Sequence, residues 1–204
     1  VGALVNGCPR PASTSVDVGG VRTNFRMPDV YSIALGGGSI VQGDDPIAVG
    51  PRSVGFRIHE QGLLFGGDTL TATDVAVGLG IANIGDPEPA KKLGQDKLLT
   101  IKALIDEMIV NASERMRVSA DEIPILAVGG GSILIPDRVG GLTVIKPEHF
   151  SVANAVGAAI GQISGEVDRI FSLASITREE ALETARKEAT GKAIAAGARP
   201  ESIE

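Results

Sequence analysis

The spacing of apolar positions changes character near residue 70. Before it, short β-branched runs alternate with turn signals; after it, apolar residues recur at helical spacing. Residues 2–5 read as a strand ending at Asn6-Gly7, a pair that favours a tight hairpin. Pro9 and Pro11 lead to a run over 14–18, and Gly19-Gly20 leads to another over 21–25. Residues 29–35 are mostly apolar and predict a strand that stops at Gly36-Gly37-Gly38-Ser39. A short extended piece, 47–49, follows Asp44-Asp45-Pro46, and the Gly-rich stretch 50–69 predicts an irregular surface excursion.

Helical periodicity occupies most of 70–120. Thr71-Ala72-Thr73-Asp74 has the spacing of a capping box, in which the first hydroxyl and the last carboxylate satisfy each other's backbone amides. Residues 90–118 predict one long helix, with Leu98, Ile101, Leu104, Ile105, Met108, Ile109, Ala112 and Met116 on its apolar stripe. Lys102, Asp106, Glu107, Glu114 and Arg117 fall on the opposite, solvated face. In 121–204 the pattern predicts a short buried strand over 124–128, ending at Gly129-Gly130-Gly131-Ser132, and a strand over 143–145. A small-residue helix over 151–173 and a last helix opened by Thr177-Arg178-Glu179-Glu180 complete the chain. The order suits an α/β layered arrangement, a mixed β-sheet flanked by helices in a single lobe spanning 1–204.

Composition narrows the function. The 204 residues are 43% hydrophobic but only 3% aromatic, so small branched side chains must fill the core. A net charge of −6, without a dense basic cluster or aromatics for base stacking, argues against nucleic-acid binding. No apolar run is long enough to span a membrane, and no signal-peptide pattern is present. One cysteine, Cys8, rules out an internal disulfide framework and fits a reducing, cytoplasmic setting. Asn111-Ala112-Ser113 matches a glycosylation sequon but falls in a predicted helix. Val1 reads as part of a strand already under way, and a helical segment runs almost to Glu204. Both ends suggest an excised piece, with a processed natural chain as the alternative.

An internal echo is the most informative feature. Ile33-Ala34-Leu35-Gly36-Gly37-Gly38-Ser39-Ile40 resembles Leu126-Ala127-Val128-Gly129-Gly130-Gly131-Ser132-Ile133. Each is an apolar run discharging into three glycines and a serine. Glycine loses the most conformational entropy on folding, so such triplets persist where φ is positive or another atom approaches the backbone closely. Such turns can line an anion or nucleotide site at the carboxyl ends of strands, or they can simply let helices press against bare backbone. Neither copy is a P-loop, because no Gly-Lys-Ser/Thr follows. Neither has the Gly-x-Gly-x-x-Gly spacing of a Rossmann-type oxidoreductase.

The order of motifs resembles the hydantoinase/oxoprolinase family. The runs that carry the resemblance begin with Val18-Gly19-Gly20-Val21-Arg22-Thr23 and the stretch from Asp29 to Ile40. Val49-Gly50-Pro51-Arg52-Ser53-Val54-Gly55, Thr71-Ala72-Thr73-Asp74, the Ala127 to Gly131 run and Ala153-Asn154-Ala155-Val156-Gly157-Ala158 continue it. The resemblance implies an actin-like ATPase (ribonuclease H-like) lobe, truncated at its first strand, of a subunit that holds ATP between two related lobes. It places Gly129, Gly130, Gly131 and Ser132 at the adenosine-binding turn and makes Gly36, Gly37, Gly38 and Ser39 a family motif of less certain ligand. It further implies Mg²⁺, a small cyclic amide substrate, and a second subunit or homo-oligomer as partner. The reaction so implied is ATP-dependent opening of hydantoin or 5-oxoproline-like rings through phosphorylation of the amide carbonyl. A related carboxylation, as in acetone carboxylase, is the neighbouring alternative. In the family pattern an Asp-Gly-Gly-Thr phosphate turn lies immediately before the position of Val1, and a second lies near the start of the full-length subunit. An Asp-Pro-Gly-Pro-rich segment found in many members is replaced here by 56–65.

Asp74, closing the Thr-x-Thr-Asp run, is the candidate catalytic acid, and its alternative role is that of a capping carboxylate. Asp68 is a weaker candidate whose default is a turn residue. His59 and His149 have no cysteine or carboxylate at metal-ligand spacing, so zinc is not expected and no metal ligand is assigned. Cys8 has no adjacent base. Asn154 either contacts ligand or packs a helix. Against the enzyme reading stands a non-catalytic module whose glycine turns serve packing and whose helices form a subunit interface.

Overall fold

A computed structural model describes residues 1–12, 16–18, 21–23, 27–119 and 121–204; for 16–18 and 21–23 it describes the backbone alone. The chain divides into two compact units, Val1–Ala153 and Asn154–Glu204.

The first unit opens with two hairpins. Strands β1 (Leu4–Val5) and β2 (Cys8–Pro9) pair antiparallel across Asn6-Gly7. Both turn residues have positive φ, 52° and 80°, the mirror-image turn that Asn-Gly favours. Strands β3 (Val16–Val18) and β4 (Val21–Thr23) form the second hairpin, and the expected Gly19-Gly20 turn lies outside the described residues. Residues 29–35 are extended but form no strand. Val30 and Pro28 make isolated bridges to Gly2 and Pro11, Asp29 and Tyr31 donate to the Arg10 and Val1 carbonyls, and among the described residues no further ladder forms. An apolar run becomes a strand only where a neighbour supplies a ladder.

Strands β5 (Ser39–Gln42) and β6 (Ala48–Ser53) pair antiparallel, with a register irregularity between Ser39 and Val41. Residues 50–69 are more ordered than their glycine content suggests: after β6 come helical turns at Gly55–Arg57, α1 (Ile58–Gln61) and Leu63–Phe65. Gly50, Gly62 and Gly67 serve close contact, whereas Gly55 and Gly66 have open space and positive φ. A Cβ at Gly67 would land on the Gln61 backbone, and Leu64 is buried.

Helix α2 (Ala72–Gly78) starts at the expected capping box. The expected helix over 90–118 is instead two: α3 (Glu88–Lys91) and α4 (Gln95–Met116), parted at Gly94, where φ is 87°. The stripe on α4 is buried at Leu98, Ile101, Ile105, Ile109, Ala112 and Met116. The short strands β7 (Ile125–Leu126), β8 (Arg138–Val139) and β9 (Leu142–Ile145) form a three-stranded sheet, β9 parallel to β7 and antiparallel to β8. The expected buried strand over 124–128 is shorter and half-open, with Leu126 and Val128 exposed. Among the described residues the strands fall into four small sheets rather than one flanked sheet, so the architecture is mixed α/β.

One apolar cluster organises this unit. Val41 of β5, Ala72, Val75 and Ala76 of α2, and Leu98, Ile101, Ile105 and Ile109 of α4 pack together with Leu134 and Val139. Val41 follows the first glycine turn by two residues and Leu134 follows the second by two. The segments leaving both turns therefore share one core.

In the second unit the expected helix over 151–173 ends early. Helix α5 (Ala153–Ala159), whose first residue closes the first unit, has no buried residue, and regular structure does not resume until α6 (Arg178–Ala195). Gly157, Gly161 and Gly165 each disfavour helix by about 1 kcal/mol relative to alanine, and no apolar stripe repays that loss. Gly165 instead lies against the Ala189 backbone carbonyl of α6, where a Cβ has no room. Lys192 donates to the Glu166 carbonyl at 2.9 Å and Arg169 pairs with Glu188 at 3.2 Å. Helix α6 begins at the expected box, Thr177 with Glu180, and ends before Gly197. Among the described residues, no helix is long and apolar enough to cross a membrane.

Candidate functional site

The two glycine turns, far apart in sequence at residues 36–39 and 129–132, meet in space. A Cβ built on Gly131 would have the Gly36 Cα, at 3.9 Å, as its nearest neighbour outside its own surroundings. The shared core explains the meeting, since Val41 and Leu134 anchor the segments that leave the turns.

Each turn is closed by its own serine in nearly the same way. The Ser39 amide donates to the Gly36 carbonyl at 3.0 Å, and the Ser132 amide donates to the Gly129 carbonyl at 3.1 Å. Ser39 Oγ accepts from the Gly36 amide at 2.9 Å, and Ser132 Oγ donates to the Gly129 carbonyl at 2.7 Å. Both serines are buried, so these hydroxyls brace the turns from within. The echo in sequence is an echo in hydrogen bonding.

The six glycines divide by what surrounds them. Gly37 and Gly38 are packing glycines: a Cβ at Gly37 would stand 2.7 Å from Thr73 Oγ1, and one at Gly38 would stand 3.0 Å from Ser53 Oγ and 3.2 Å from the Gly55 amide nitrogen. Gly36, Gly129 and Gly130 have open space at that position. Only Gly129 also needs its conformation, at φ 86°. The amides of Gly36 and Gly129 are committed, the latter to the Phe150 carbonyl at 2.6 Å. This part of the surface offers a bare Cα face, which a planar ring or sugar can lie against.

Asp74 lies beside the first turn but faces away from it. It is fully buried, with Oδ1 accepting the Leu64 amide at 2.8 Å and Oδ2 accepting the Thr71 amide and hydroxyl at 2.7 and 2.6 Å. The carboxylate thus ties the start of α2 to the Leu63–Phe65 turn. Asp68 is exposed and accepts the Thr69 hydroxyl. Thr73, which sequence reasoning passed over, donates both its amide and its hydroxyl to the Gly37 carbonyl, each at 2.9 Å. The available signal was its place two residues after the capping Thr71, on the first turn of the helix.

The remaining candidates lie apart. His59 packs against Phe65 with ring centroids 4.7 Å apart and the planes tilted by 56°, and His149 is exposed beside Glu148. Cys8 is exposed in the first hairpin, and Asn154 is exposed on α5 in the second unit. Among the described residues no three His, Cys, Asp or Glu side chains gather into one cluster. Two shallow grooves of about 360 and 380 Å³ contain no residue of either glycine turn in their linings. The larger begins where the second turn ends, at Leu134 and Ile135, with Lys102 and Lys146 at its edge.

Residues 3–98 match the hydantoinase/oxoprolinase family. Among solved structures, the nucleotide-free structure of acetone carboxylase, from work on the mechanism of ATP-dependent acetone carboxylation, aligns with 97% of the chain. The TM-score is 0.68 at 18% identity, which is a likeness of fold, and the chain spans 34% of that carboxylase chain. No curated protein sequence matches. The matched segment contains the first glycine turn, Thr73 and Asp74, so over residues 3–98, a little under half of its length, the chain is similar to the hydantoinase/oxoprolinase family.

Proposed function

We propose that the chain forms one wall of the nucleotide cleft of an ATP-dependent enzyme that opens hydantoin or 5-oxoproline-like cyclic amides. The observation that carries this reading is the meeting of Gly131 with Gly36, in a pair of turns where Gly129, Gly130 and Gly36 each have open space at the Cβ position. A purine nucleoside needs such a surface: flat, close to the backbone, and free of Cβ atoms. Ser39 and Ser132 hold the wall rigid through bonds inside each turn, so the cleft is shaped before the nucleotide arrives.

When bound, ATP would supply the phosphoryl group that converts the amide oxygen into a better leaving group. The chain's own part is orientation of the nucleoside. Asp74 belongs to this reading as a structural carboxylate, because its three hydrogen bonds leave no oxygen facing a substrate. No step is assigned to Mg²⁺. A small-molecule amide and a second subunit or another copy of the chain are the partners this reading requires.

The fold likeness to acetone carboxylase favours a second reading, in which the same wall serves a carboxylation. The test measures nucleotide hydrolysis by the intact gene product with hydantoin, with 5-oxoproline, and with acetone plus bicarbonate. Hydrolysis stimulated by a cyclic amide supports the leading proposal. Stimulation by acetone and bicarbonate alone replaces it with the second, and failure to bind ATP refutes both.

A further inference from the structure

We infer that Thr73 is a positioning residue for the nucleotide wall, holding the Gly37 carbonyl and so fixing where the Gly36 Cα stands beside Gly131. This rests on the reading of the two turns as a nucleotide cleft.

A carbonyl oxygen has two lone pairs, and Thr73 occupies both at Gly37, with amide and hydroxyl each at 2.9 Å. The next carbonyl, Gly38, accepts the Val54 amide at 2.9 Å. Consecutive peptide groups of the turn are therefore held from two different elements. Gly36, one residue before this clamp, has open space at its own Cβ position, and its Cα is the nearest neighbour, at 3.9 Å, of the Cβ position on Gly131. Small rotations at Gly37 would carry Gly36 with them. The clamp is itself immobilised: Thr73 is 5% exposed, Ala72 and Val75 on either side of the Thr73-Asp74 pair are fully buried, and Asp74 fixes the helix start through Thr71 and Leu64. The Thr73 hydroxyl also explains Gly37, since it fills the position a side chain there would take. Thr73 touches no reacting group; it acts through the backbone of 36–38.

Thr73→Val keeps volume and branching but removes the hydroxyl, whereas Thr73→Ser keeps the hydroxyl. Both are made in the intact gene product, and binding of a non-hydrolysable ATP analogue with Mg²⁺ is measured by calorimetry. Amide exchange over 33–40 and over α4 is followed in parallel. Thr73→Val is expected to weaken binding about fivefold to tenfold, the usual consequence of one lost hydrogen bond. Exchange over 33–40 should quicken while α4 stays unchanged, and Thr73→Ser should bind within about twofold of wild type. If Thr73→Val prevents folding, Gly37→Ala reads the same contact from the other side by placing a methyl group 2.7 Å from the same oxygen; it too should weaken binding. Wild-type affinity in Thr73→Val, or in Gly37→Ala where that variant is needed, overturns the positioning role alone. Absence of analogue binding by the wild-type protein overturns the nucleotide reading and this inference together.

Discussion

Replacing Asp74 by asparagine separates a capping role from a catalytic one. The carboxylate faces two donors from Thr71 on Oδ2 and one donor, the Leu64 amide, on Oδ1. An asparagine retains one acceptor oxygen, and it satisfies more donors by turning that oxygen toward Thr71. Its NH₂ group then meets the Leu64 amide, donor against donor. Leaving a buried donor without a partner costs about 1–3 kcal/mol. At about 1.4 kcal/mol per factor of ten, protection of the Leu64 amide against exchange should fall by roughly tenfold to a hundredfold. Protection at Thr71 should change much less. Asp74→Ala removes both acceptors and should expose both amides. Exchange measured residue by residue in the intact gene product gives the comparison. Equal loss at Leu64 and Thr71 in Asp74→Asn, or no loss at either, would refute the asymmetric cap. Abolished turnover with both amides fully protected would return Asp74 to the chemistry.

Three other expectations are open to direct measurement. Gly130→Leu places a side chain in open space at a backbone without positive φ, so thermal stability should hold while ATP-analogue affinity falls more than about tenfold. Ile101→Ala empties a fully buried position in the core shared by both turns and should cost about 2–5 kcal/mol in denaturant unfolding. The Thr177 amide, and then its hydroxyl, hold the Glu180 carboxyl below its ordinary value of 4.5. A lowered folded-state value means the cap stabilises α6 above about pH 4.5 and loses that effect as pH falls through the folded value. Exchange over the first turn of α6, corrected for intrinsic rates, should therefore rise on acidification, and Glu180→Gln should remove that dependence.

What was legible in the sequence was local chemistry. Asn6-Gly7 announces its hairpin because the two residues themselves favour positive φ, and Thr71–Asp74 and Thr177–Glu180 announce their helices because each box is satisfied within four residues. The stripe on α4 was visible for the same reason, whereas the break at Gly94 was hidden inside a continuous periodic pattern. Residues 29–35 misled because strand formation depends on a neighbour elsewhere in the chain, and 151–173 misled because small residues can serve either a helix or close packing against one. The glycine echo was readable, but its meaning was not. That Gly37 and Gly38 serve packing while Gly36, Gly129 and Gly130 stay open depends on Thr73, Ser53 and the placement of Val41 and Leu134 in one core. Asp74 attracted attention as an acid in a motif, yet its neighbours in space, not its spacing, show that it binds backbone.

Photolabelling of the intact gene product with an azido-adenine analogue of ATP, followed by peptide mapping, tests the nucleotide wall most directly. The account predicts label in peptides covering 127–136, with weaker label over 33–40, and competition by unmodified ATP. Competable label confined to other peptides, with both glycine turns untouched, would contradict it.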